Sequence, residues 1–501
     1  MTETKHYVKR LFEANAINIT LQRNNLYDDF VNNSNTVEKV EAILNNQNAI
    51  MKEWKIISEI ADMLSSSVQI ANGTVGKNYE FKVDFSNNGW ENISYLEIEG
   101  LQDFGLTFDM ETHTISGIPN KDGDFEVRIL FRINEEVPEA ELHEKKVKVL
   151  INPDPKSLWK NIPSSSDCLF PKQDDVQDFA PLGQKHIVVA SKRGRSHANV
   201  GSFRDDDYRF QVVKESGWSI VAVSDGAGSS KFSRKGSELA CNEVASYLQK
   251  GLVGEQAANL DQLLWQIYSQ NTPSENHESI KDVVGVAVDD QLETNPDHQI
   301  GETDDSPTVI LNRMIYNILG GCANSAFKSI EKFANNSSLS IKEFHATLIF
   351  ALFKKFDFGY VILTFGVGDC PIALINKEMT QVKMMNWLDV GEYGGGTRFI
   401  TMPEIFTSDT FPTRFGFTMV EDFSYLMLMT DGIYDAKFVV EANLEKVEKW
   451  KEFLEDLNGC NEEKATVAFE IDNTQIATQL STWMDFWSPG NHDDRTLAII
   501  F

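Results

Sequence analysis

The period of the apolar residues changes along the chain. Over residues 1–65, apolar side chains recur at near-helical spacing, as Val37, Val40 and Leu44 do, and the segment IMKEWKIISEIADML continues that pattern. Residues 66–153 instead contain short runs in which apolar and polar residues alternate, such as YEFKVDF and FEVRILFRI, with turn residues between them. We predict a helical N-terminal segment, acting as a cap or a dimerisation element, followed by a small all-β sandwich.

Two further stretches lack a regular period. Residues 154–180 mix Pro, Ser and charged residues, which predicts a linker. Residues from about 270 to 308 are polar and acidic, which predicts a solvated insertion. The chain of 501 residues is too long for one hydrophobic core, and its apolar content of 42% is enough for several. We therefore expect separate domains, the last of them over residues 181–501.

In this last region, apolar strands end or begin at aspartates. A strand terminus holds a carboxylate at a fixed point, and a following glycine lets the backbone turn sharply beside it. One aspartate at such a place is most often a turn residue or a helix cap, but here the arrangement recurs five times. The five are Asp205–Asp207 before YRFQVV, Asp225-Gly226 after WSIVAVS, Asp369 after YVILTFGVG, Asp431-Gly432 after SYLMLMT, and Asp493-Asp494 before RTLAIIF.

Carboxylates gathered from distant strands repel one another, so their coexistence requires a cation. No histidine or cysteine has the spacing of a zinc site, whereas a set of oxygen ligands suits Mg²⁺ or Mn²⁺. The net charge of −29, from 75 acidic and 46 basic residues, agrees with a protein that concentrates divalent cations. We predict a centre of two metal ions.

The same charge excludes several classes of partner. A strongly negative protein repels polyanions, so we expect neither nucleic acid nor a membrane surface as a partner. The five scattered cysteines have no CxxC spacing and indicate reduced thiols, and the N-terminus lacks the apolar core of a signal peptide. No run of residues is apolar for long enough to span a bilayer. We expect a cytoplasmic protein.

Six segments resemble, in order, the motifs of the metal-dependent type 2C protein phosphatases, particularly a bacterial subgroup. The resemblance extends over residues 186–501 and implies an α+β fold, with an α-β-β-α sandwich of two antiparallel sheets flanked by helices. The segment GLTFDMETHTISGIPNKDGDFEVRILF is similar to bacterial immunoglobulin-like domains, which implies an immunoglobulin-like sandwich at residues 66–153. The six segments are RGRSHANVGSFRDDDYRF, VAVSDGAGSSKFSRKGSELAC, FHATLIFALF, FGVGDCPIALI, LMLMTDGIYDAKF and SPGNHDDRTLAII.

The resemblance implies a role for each acidic motif. Asp206 is similar to the aspartate of the first motif, and Asp205 takes the place of its acidic neighbour. Asp225 is implied as the carboxylate that bridges two metals, with Gly226 supplying a backbone carbonyl. The other implied ligands are Asp431 and Asp493 for the second metal, and Asp369 and Asp435 for a weaker third metal. The implied catalytic residues are Asp206, Asp225, Asp431 and Asp493.

Two positions depart from the family pattern. Family members commonly carry an arginine five residues before the aspartate of the first motif to hold the substrate phosphate, and this chain has Gly201 there. Some eukaryotic members have a histidine, a candidate general acid, where this chain has Ala227. Other groups must therefore bind the phosphate and protonate the leaving group. The candidates for phosphate or substrate contact are Arg195, His197, Arg204 and, in the glycine-rich segment 391–401, Arg398.

The implied activity is the Mg²⁺- or Mn²⁺-dependent hydrolysis of phosphoserine and phosphothreonine in proteins. Two metal ions about 3.5–4 Å apart share a water and lower its pKa, so that hydroxide attacks the phosphorus without a side-chain nucleophile. A partner Ser/Thr kinase or its targets would supply the phosphoprotein substrate, and the N-terminal domain would bind proteins. Two alternatives stay open: a pseudophosphatase that acts as a scaffold or binds phosphoproteins, and a phosphatase of a small phosphorylated metabolite.

Overall fold

A computed structural model of the chain describes residues 2–85, 89–271, 306–389 and 396–501. By its internal contacts the chain divides into two compact units, Met1–Leu158 and Trp159–Phe501. Most of the predicted insertion between about 270 and 308, and the first part of the glycine-rich segment, lie outside the described residues. In the described parts of the chain, no helix combines the length and the apolar composition needed to cross a membrane.

The N-terminal unit begins with three helices, as the apolar spacing predicts. Val8, Val31 and Val40 are buried in their common core. The side chain of Asn33 caps the third helix by accepting a hydrogen bond from the Asn35 amide at 3.0 Å. The three helices are α1 (Glu3–Ala14), α2 (Asn24–Asn32) and α3 (Ser34–Ser65).

Two sheets follow in the same unit and enclose one apolar core. Alternate residues of the strands are buried in it, among them Ile115, Val127 and Phe131. The predicted all-β domain is therefore confirmed, while its immunoglobulin-like character stays a prediction. The strands are β1 (Gly73–Thr74), β2 (Tyr79–Lys82), β3 (Ile93–Glu99), β4 (Leu106–Asp109), β5 (Thr114–Gly117), β6 (Gly123–Ile133) and β7 (His143–Asn152), in sheets of order β1-β7-β6-β3 and β2-β5-β4, before a short α4 (Pro155–Leu158).

The C-terminal unit contains two antiparallel sheets stacked face to face. Their inner faces meet in a core that includes Ile187, Val221, Ile349, Leu426 and Ala498. The strands are β8 (Asp175–Leu182), β9 (Lys185–Lys192), β10 (Asp207–Val212), β11 (Ser219–Ser224), β12 (Leu348–Phe356), β13 (Gly359–Val367), β14 (Ile372–Asn376), β15 (Val382–Met384), β16 (Phe415–Val420), β17 (Phe423–Met429) and β18 (Arg495–Ile500). The five-stranded sheet has the order β10-β11-β12-β13-β16, and the six-stranded sheet the order β15-β14-β17-β18-β9-β8.

Helices cover the outer face of each sheet, which confirms the α-β-β-α sandwich. Against the five-stranded sheet, Val244 packs in one core with Ile220. Against the six-stranded sheet, Trp450 and Leu480 pack in one core with Met427. The helices of this unit are α5 (Arg195–Val200), α6 (Ser233–Gly251), α7 (Gly254–Asn271), α8 (Pro307–Ile315), α9 (Gly321–Asn336), α10 (Asp431–Phe438), α11 (Val447–Leu457) and α12 (Ile476–Trp483).

The prediction of a linker over residues 154–180 is wrong for its second half. Asp175–Leu182 forms β8, which pairs along its length with β9 at the edge of the six-stranded sheet. Lys172 also belongs to the folded unit, because its ammonium donates to the Asp206 carbonyl oxygen at 2.6 Å and pairs with the Asp207 carboxylate at 2.9 Å. The edge strand is polar on its exposed face, so its sequence shows too little apolar alternation to be detected.

Two glycines of α6 form a matched pair that tests how closely this helix packs. A Cβ at Gly236 would lie 2.1 Å from the Phe344 carbonyl oxygen, whereas a Cβ at Gly251 would enter open space. We expect Gly236→Ala to lower the free energy of unfolding of this unit by about 1–3 kcal/mol. Gly251→Ala should leave it unchanged or raise it by up to about 1 kcal/mol. Differential scanning calorimetry measures both effects, and equal destabilisation by the two variants would contradict the packing described.

Candidate metal centre

Asp206 links the two sheets at one edge of the sandwich. It directly precedes β10 of the five-stranded sheet and is fully buried. Its Oδ2 atom accepts hydrogen bonds from Thr430 Oγ1 at 2.9 Å and from Thr496 Oγ1 at 2.7 Å. Thr430 follows β17 and Thr496 lies in β18, so two strands of the six-stranded sheet orient this carboxylate.

Asp225 directly follows the neighbouring strand β11 and lies at the same edge, because β10 and β11 are antiparallel. Its amide donates to Thr347 Oγ1 at 2.9 Å, and its carbonyl oxygen accepts from the Thr347 amide at 2.8 Å. A Cβ at Gly226 would lie only 2.6 Å from the Asp205 carbonyl oxygen. Glycine is therefore required here, and its small size lets the Asp205 and Asp225 segments meet.

Asp431 and Asp493 meet at the corresponding edge of the six-stranded sheet. Asp431 follows β17 as the first residue of α10, and Asp493 lies two residues before β18, the antiparallel neighbour of β17. A Cβ at Gly432 would lie 1.9 Å from the Asp494 carbonyl oxygen, so glycine is again required for two acidic segments to meet.

Asp369 lies just beyond β13, and its Oδ2 atom accepts a hydrogen bond from Thr397 Oγ1 at 2.7 Å. The preceding turn is fixed by Asp389, which accepts from the Gly368 amide at 2.8 Å and pairs with the buried Arg414. The structure thus brings together five of the predicted residues, which we call the carboxylate cluster. Its members are Asp206, Asp225, Asp369, Asp431 and Asp493, with Asp435 exposed one turn beyond Asp431 on α10. The side chain of the neighbouring Asp205 instead interacts with Asp494 and His197.

Burial and mutual repulsion raise the pKa values of these carboxyl groups. Burial, followed by the charge of Asp494, raises the pKa of Asp205 to about 6 and that of Asp206 to about 7. Burial, followed by the charge of Asp431, raises the pKa of Asp225 well above its usual range. The pKa values of four further aspartates are also raised, mainly by burial and in addition by the charge of a neighbouring carboxylate. These are Asp369, Asp431, Asp435 and Asp493.

The cluster fits hard divalent cations. Within the described parts of the chain, one buried oxygen of each of three cluster carboxylates has no hydrogen-bond donor, and such an oxygen is costly unless a cation contacts it. A set of carboxylate oxygens suits Mg²⁺ or Mn²⁺. Cys370 lies near Asp225 and Asp369, but burial raises the pKa of its thiol, and a neutral thiol is a poor ligand. The three atoms are Oδ1 of Asp206, Asp369 and Asp431.

Asp494 has a structural role that sequence reasoning missed. It is buried and accepts hydrogen bonds from the Gly194 amide at 2.6 Å, from the Asp205 amide, and from His197 Nδ1 at 3.0 Å. Burial acts to raise the pKa of Asp494, but the hydrogen bond and charge of His197 hold it below its usual value. Only contacts between segments about 300 residues apart define this role, so no local pattern signals it.

The four candidates for phosphate contact lie in different environments. His197 pairs with Asp494, and although burial lowers the pKa of its imidazole, that carboxylate raises it to about 9. Arg204 is 2% exposed and donates to the carbonyl oxygens of Asp206 and Gln173, which favours a structural role.

The other two candidates lie nearer the surface. Arg195 donates to the Asp485 carbonyl oxygen at 2.7 Å and stacks over the Trp487 ring. Arg398 is exposed and borders a cavity of about 640 Å³ together with Trp387 and Asp389. It follows Thr397, the hydrogen-bond donor to Asp369.

The raised pKa values predict how the stability of the metal-free protein depends on pH. A carboxyl group with a raised pKa in the folded state binds protons more tightly there, so stability falls as the pH rises from about 4, the unfolded value, through about 6–7. We expect the melting temperature to fall over this range, and Mn²⁺ to raise it more at pH 7.5 than at pH 5.

Asp225→Asn removes one charge from the cluster, so both effects should become smaller, whereas Asp472→Asn at an exposed position should change neither. Thermal unfolding, followed by circular dichroism, measures the melting temperatures of the native protein and of the two variants. A native protein whose melting temperature does not respond to Mn²⁺ at pH 7.5 would contradict the assignment of the cluster as a metal centre.

Comparison with known proteins assigns this chain to a family. Similar solved structures include a bacterial serine phosphatase (12% identity, 63% of this chain and 96% of that chain, TM-score 0.33) and serine/threonine phosphatase Stp1 from Staphylococcus aureus (13%, 66% and 98%, 0.32). No curated protein matches the chain. The family model described as Protein phosphatase 2C matches residues 193–485, more than half of the chain. The chain belongs to the protein phosphatase 2C family.

Proposed function

We propose that this protein hydrolyses phosphoserine and phosphothreonine in proteins, with Mg²⁺ or Mn²⁺ held by the carboxylate cluster. The observation that carries the proposal is the convergence of five aspartates from both sheets, three of them with a buried oxygen that lacks a donor among the described residues. A structural role would leave these oxygens paired with donors, because an unpartnered buried carboxylate lowers stability.

Each part of the cluster has a distinct task in this proposal. Asp206, Asp225, Asp431 and Asp493, with the Gly226 carbonyl, hold two cations, and Asp205 lies beside them. Asp369 and Asp435 hold a third. Divalent cations in such a site supply an activated water and offset the charge of the phosphoryl oxygens. Thr430 and Thr496 direct Asp206 by occupying its Oδ2 atom and leaving Oδ1 available.

The cavity beside Arg398 offers a place for the substrate close to Asp369. Its volume of about 640 Å³ is in the range of ligand-binding sites, so it can hold the phosphorylated side chain of a protein. Trp387 is 69% exposed at its rim, and Arg398 supplies a positive charge near Asp369. We infer that Arg398 contacts the phosphoprotein, which a Ser/Thr kinase or its targets supply in the cytoplasm, and that the N-terminal all-β domain binds proteins.

Phosphatase assays with p-nitrophenyl phosphate and a phosphothreonine peptide test the proposal. We expect Mn²⁺-stimulated turnover of both substrates by the full chain. Asp225→Asn should lower kcat by more than about 100-fold, because it removes a direct ligand. The matched exposed variant Asp472→Asn should keep full activity. Absence of turnover by the native protein in excess Mn²⁺ would refute the proposal.

The same assays separate the two alternatives. Binding of Mn²⁺ without turnover of either substrate would favour a pseudophosphatase scaffold, for which Gly201 in place of the family's arginine is the supporting observation. Turnover of p-nitrophenyl phosphate without turnover of the peptide would favour a small phosphorylated metabolite.

A further inference from the structure

Helix α3 of the N-terminal unit packs against two different cores of that unit, one at each end of the helix. Towards its start, Val40 is buried in the core that the three helices share. Towards its end, Met63 is buried in the core of the all-β domain, with Ile56 and Ile60 packed against it. The 32-residue helix is thereby anchored at both ends.

From Ile43 onward, α3 carries an exposed apolar stripe that belongs to neither core and continues the face on which Val40 lies. Its members follow one another at alternating intervals of four and three residues, and six of the seven are apolar. Single exposed apolar residues are common, but a continuous row over about 32 Å of helix is not. The stripe consists of Ile43, Gln47, Ile50, Trp54, Ile57, Ala61 and Leu64, all exposed, with Ile50, Trp54 and Ile57 at 65%, 66% and 60%.

This spacing is that of a coiled coil. Intervals of four and three residues place apolar side chains along one seam, where each inserts between residues of a facing helix. Ile43, Ile50, Ile57 and Leu64 recur every seven residues over three heptads, which favours a left-handed pair. The stripe therefore fits another helix with the same repeat, and a second copy of α3 supplies one.

The area of the stripe agrees with a dimer. From the exposed fractions, pairing two copies would remove about 800 Å² of apolar surface from water. Since apolar atoms make up roughly 60% of such interfaces, the total is about 1,300 Å², within the range of stable complexes. A membrane surface fits less well, because the residues beside the stripe are of both signs, as Lys52, Glu53 and Lys55 show, and the whole chain has a charge of −29.

We propose that two copies of this protein associate through the α3 stripe, as a two-fold symmetric pair of helices. Each stripe residue then contributes twice to the interface, because both subunits present the same surface. The interface lies in the N-terminal unit and uses no residue of the carboxylate cluster, so dimerisation and catalysis can be tested separately.

Analytical ultracentrifugation of the full chain tests the proposal. At micromolar concentration we expect a species of twice the 56.6 kDa chain mass. Ile50→Glu and Ile57→Glu each place two charges in the pair and should raise the dissociation constant by at least about 100-fold. Val137→Glu, at a residue of the all-β domain that is 63% exposed, is the matched control and should leave the dimer intact.

A second measurement guards against variants that fail to fold. The far-ultraviolet circular dichroism of each glutamate variant should match that of the native chain at concentrations where the variant is monomeric. The melting temperature of the native protein should rise with protein concentration, and that of the variants should not. A native protein that is monomeric at tens of micromolar would overturn the proposal, whether its stripe is covered by another part of the chain or by a different protein. So would a dimer that survives both substitutions.

Discussion

Negative charges gathered from both sheets repel one another at one edge of the sandwich, and the surrounding structure is arranged to keep them there. The aspartates come from segments far apart in the chain, so no local interaction holds them together. Their burial raises the free energy of the ionised cluster, as the raised pKa values of Asp206 and Asp225 show. A fold that keeps such a cluster gives up stability in the absence of a cation and recovers it when a cation binds.

Three features hold the cluster together against this repulsion. They are close backbone contacts, hydroxyl donors and the buried carboxylate of Asp494. Gly226 and Gly432 let neighbouring acidic segments approach to distances that any side chain would prevent. Thr430 and Thr496 donate to one oxygen of Asp206 and leave the other unpartnered. Asp494 accepts hydrogen bonds from the amides of Gly194 and Asp205 and from His197, and so fixes the backbone at these positions. The site is thus preorganised by groups that need not touch a substrate.

Much of this arrangement could be predicted from the sequence. Apolar strands that end at aspartates indicated where each carboxylate would lie, and the order of the motifs implied the α-β-β-α sandwich. The donors to Asp206 could not be predicted, because Thr430 and Thr496 lie 224 and 290 residues away in the chain. The strand β8 was mistaken for a linker because its sequence shows too little alternation of apolar and polar residues. The sequence also could not distinguish Arg204 from Arg398 as candidates for substrate contact. In the structure Arg204 is buried and donates to backbone carbonyl oxygens, whereas Arg398 is exposed.

The two units carry separate physical tasks. The C-terminal unit gathers buried carboxylates, and in the proposed function a divalent cation offsets their charge. The N-terminal unit contains no comparable group of buried carboxylates among its described residues, and its long helix exposes apolar surface instead. The proposed pairing of two copies therefore uses a different unit from the proposed metal centre.

Titration of the metal-free full chain with Mn²⁺, followed by the electron paramagnetic resonance signal of the free ion, tests the central claim most directly. Bound Mn²⁺ is removed from that signal, so the number of ions per chain can be read without any substrate. We predict that the native protein binds at least two ions and that Asp431→Asn binds fewer. A native protein that binds no Mn²⁺, or an Asp431→Asn variant that binds as many ions as tightly, would contradict the assignment of the carboxylate cluster as the metal centre.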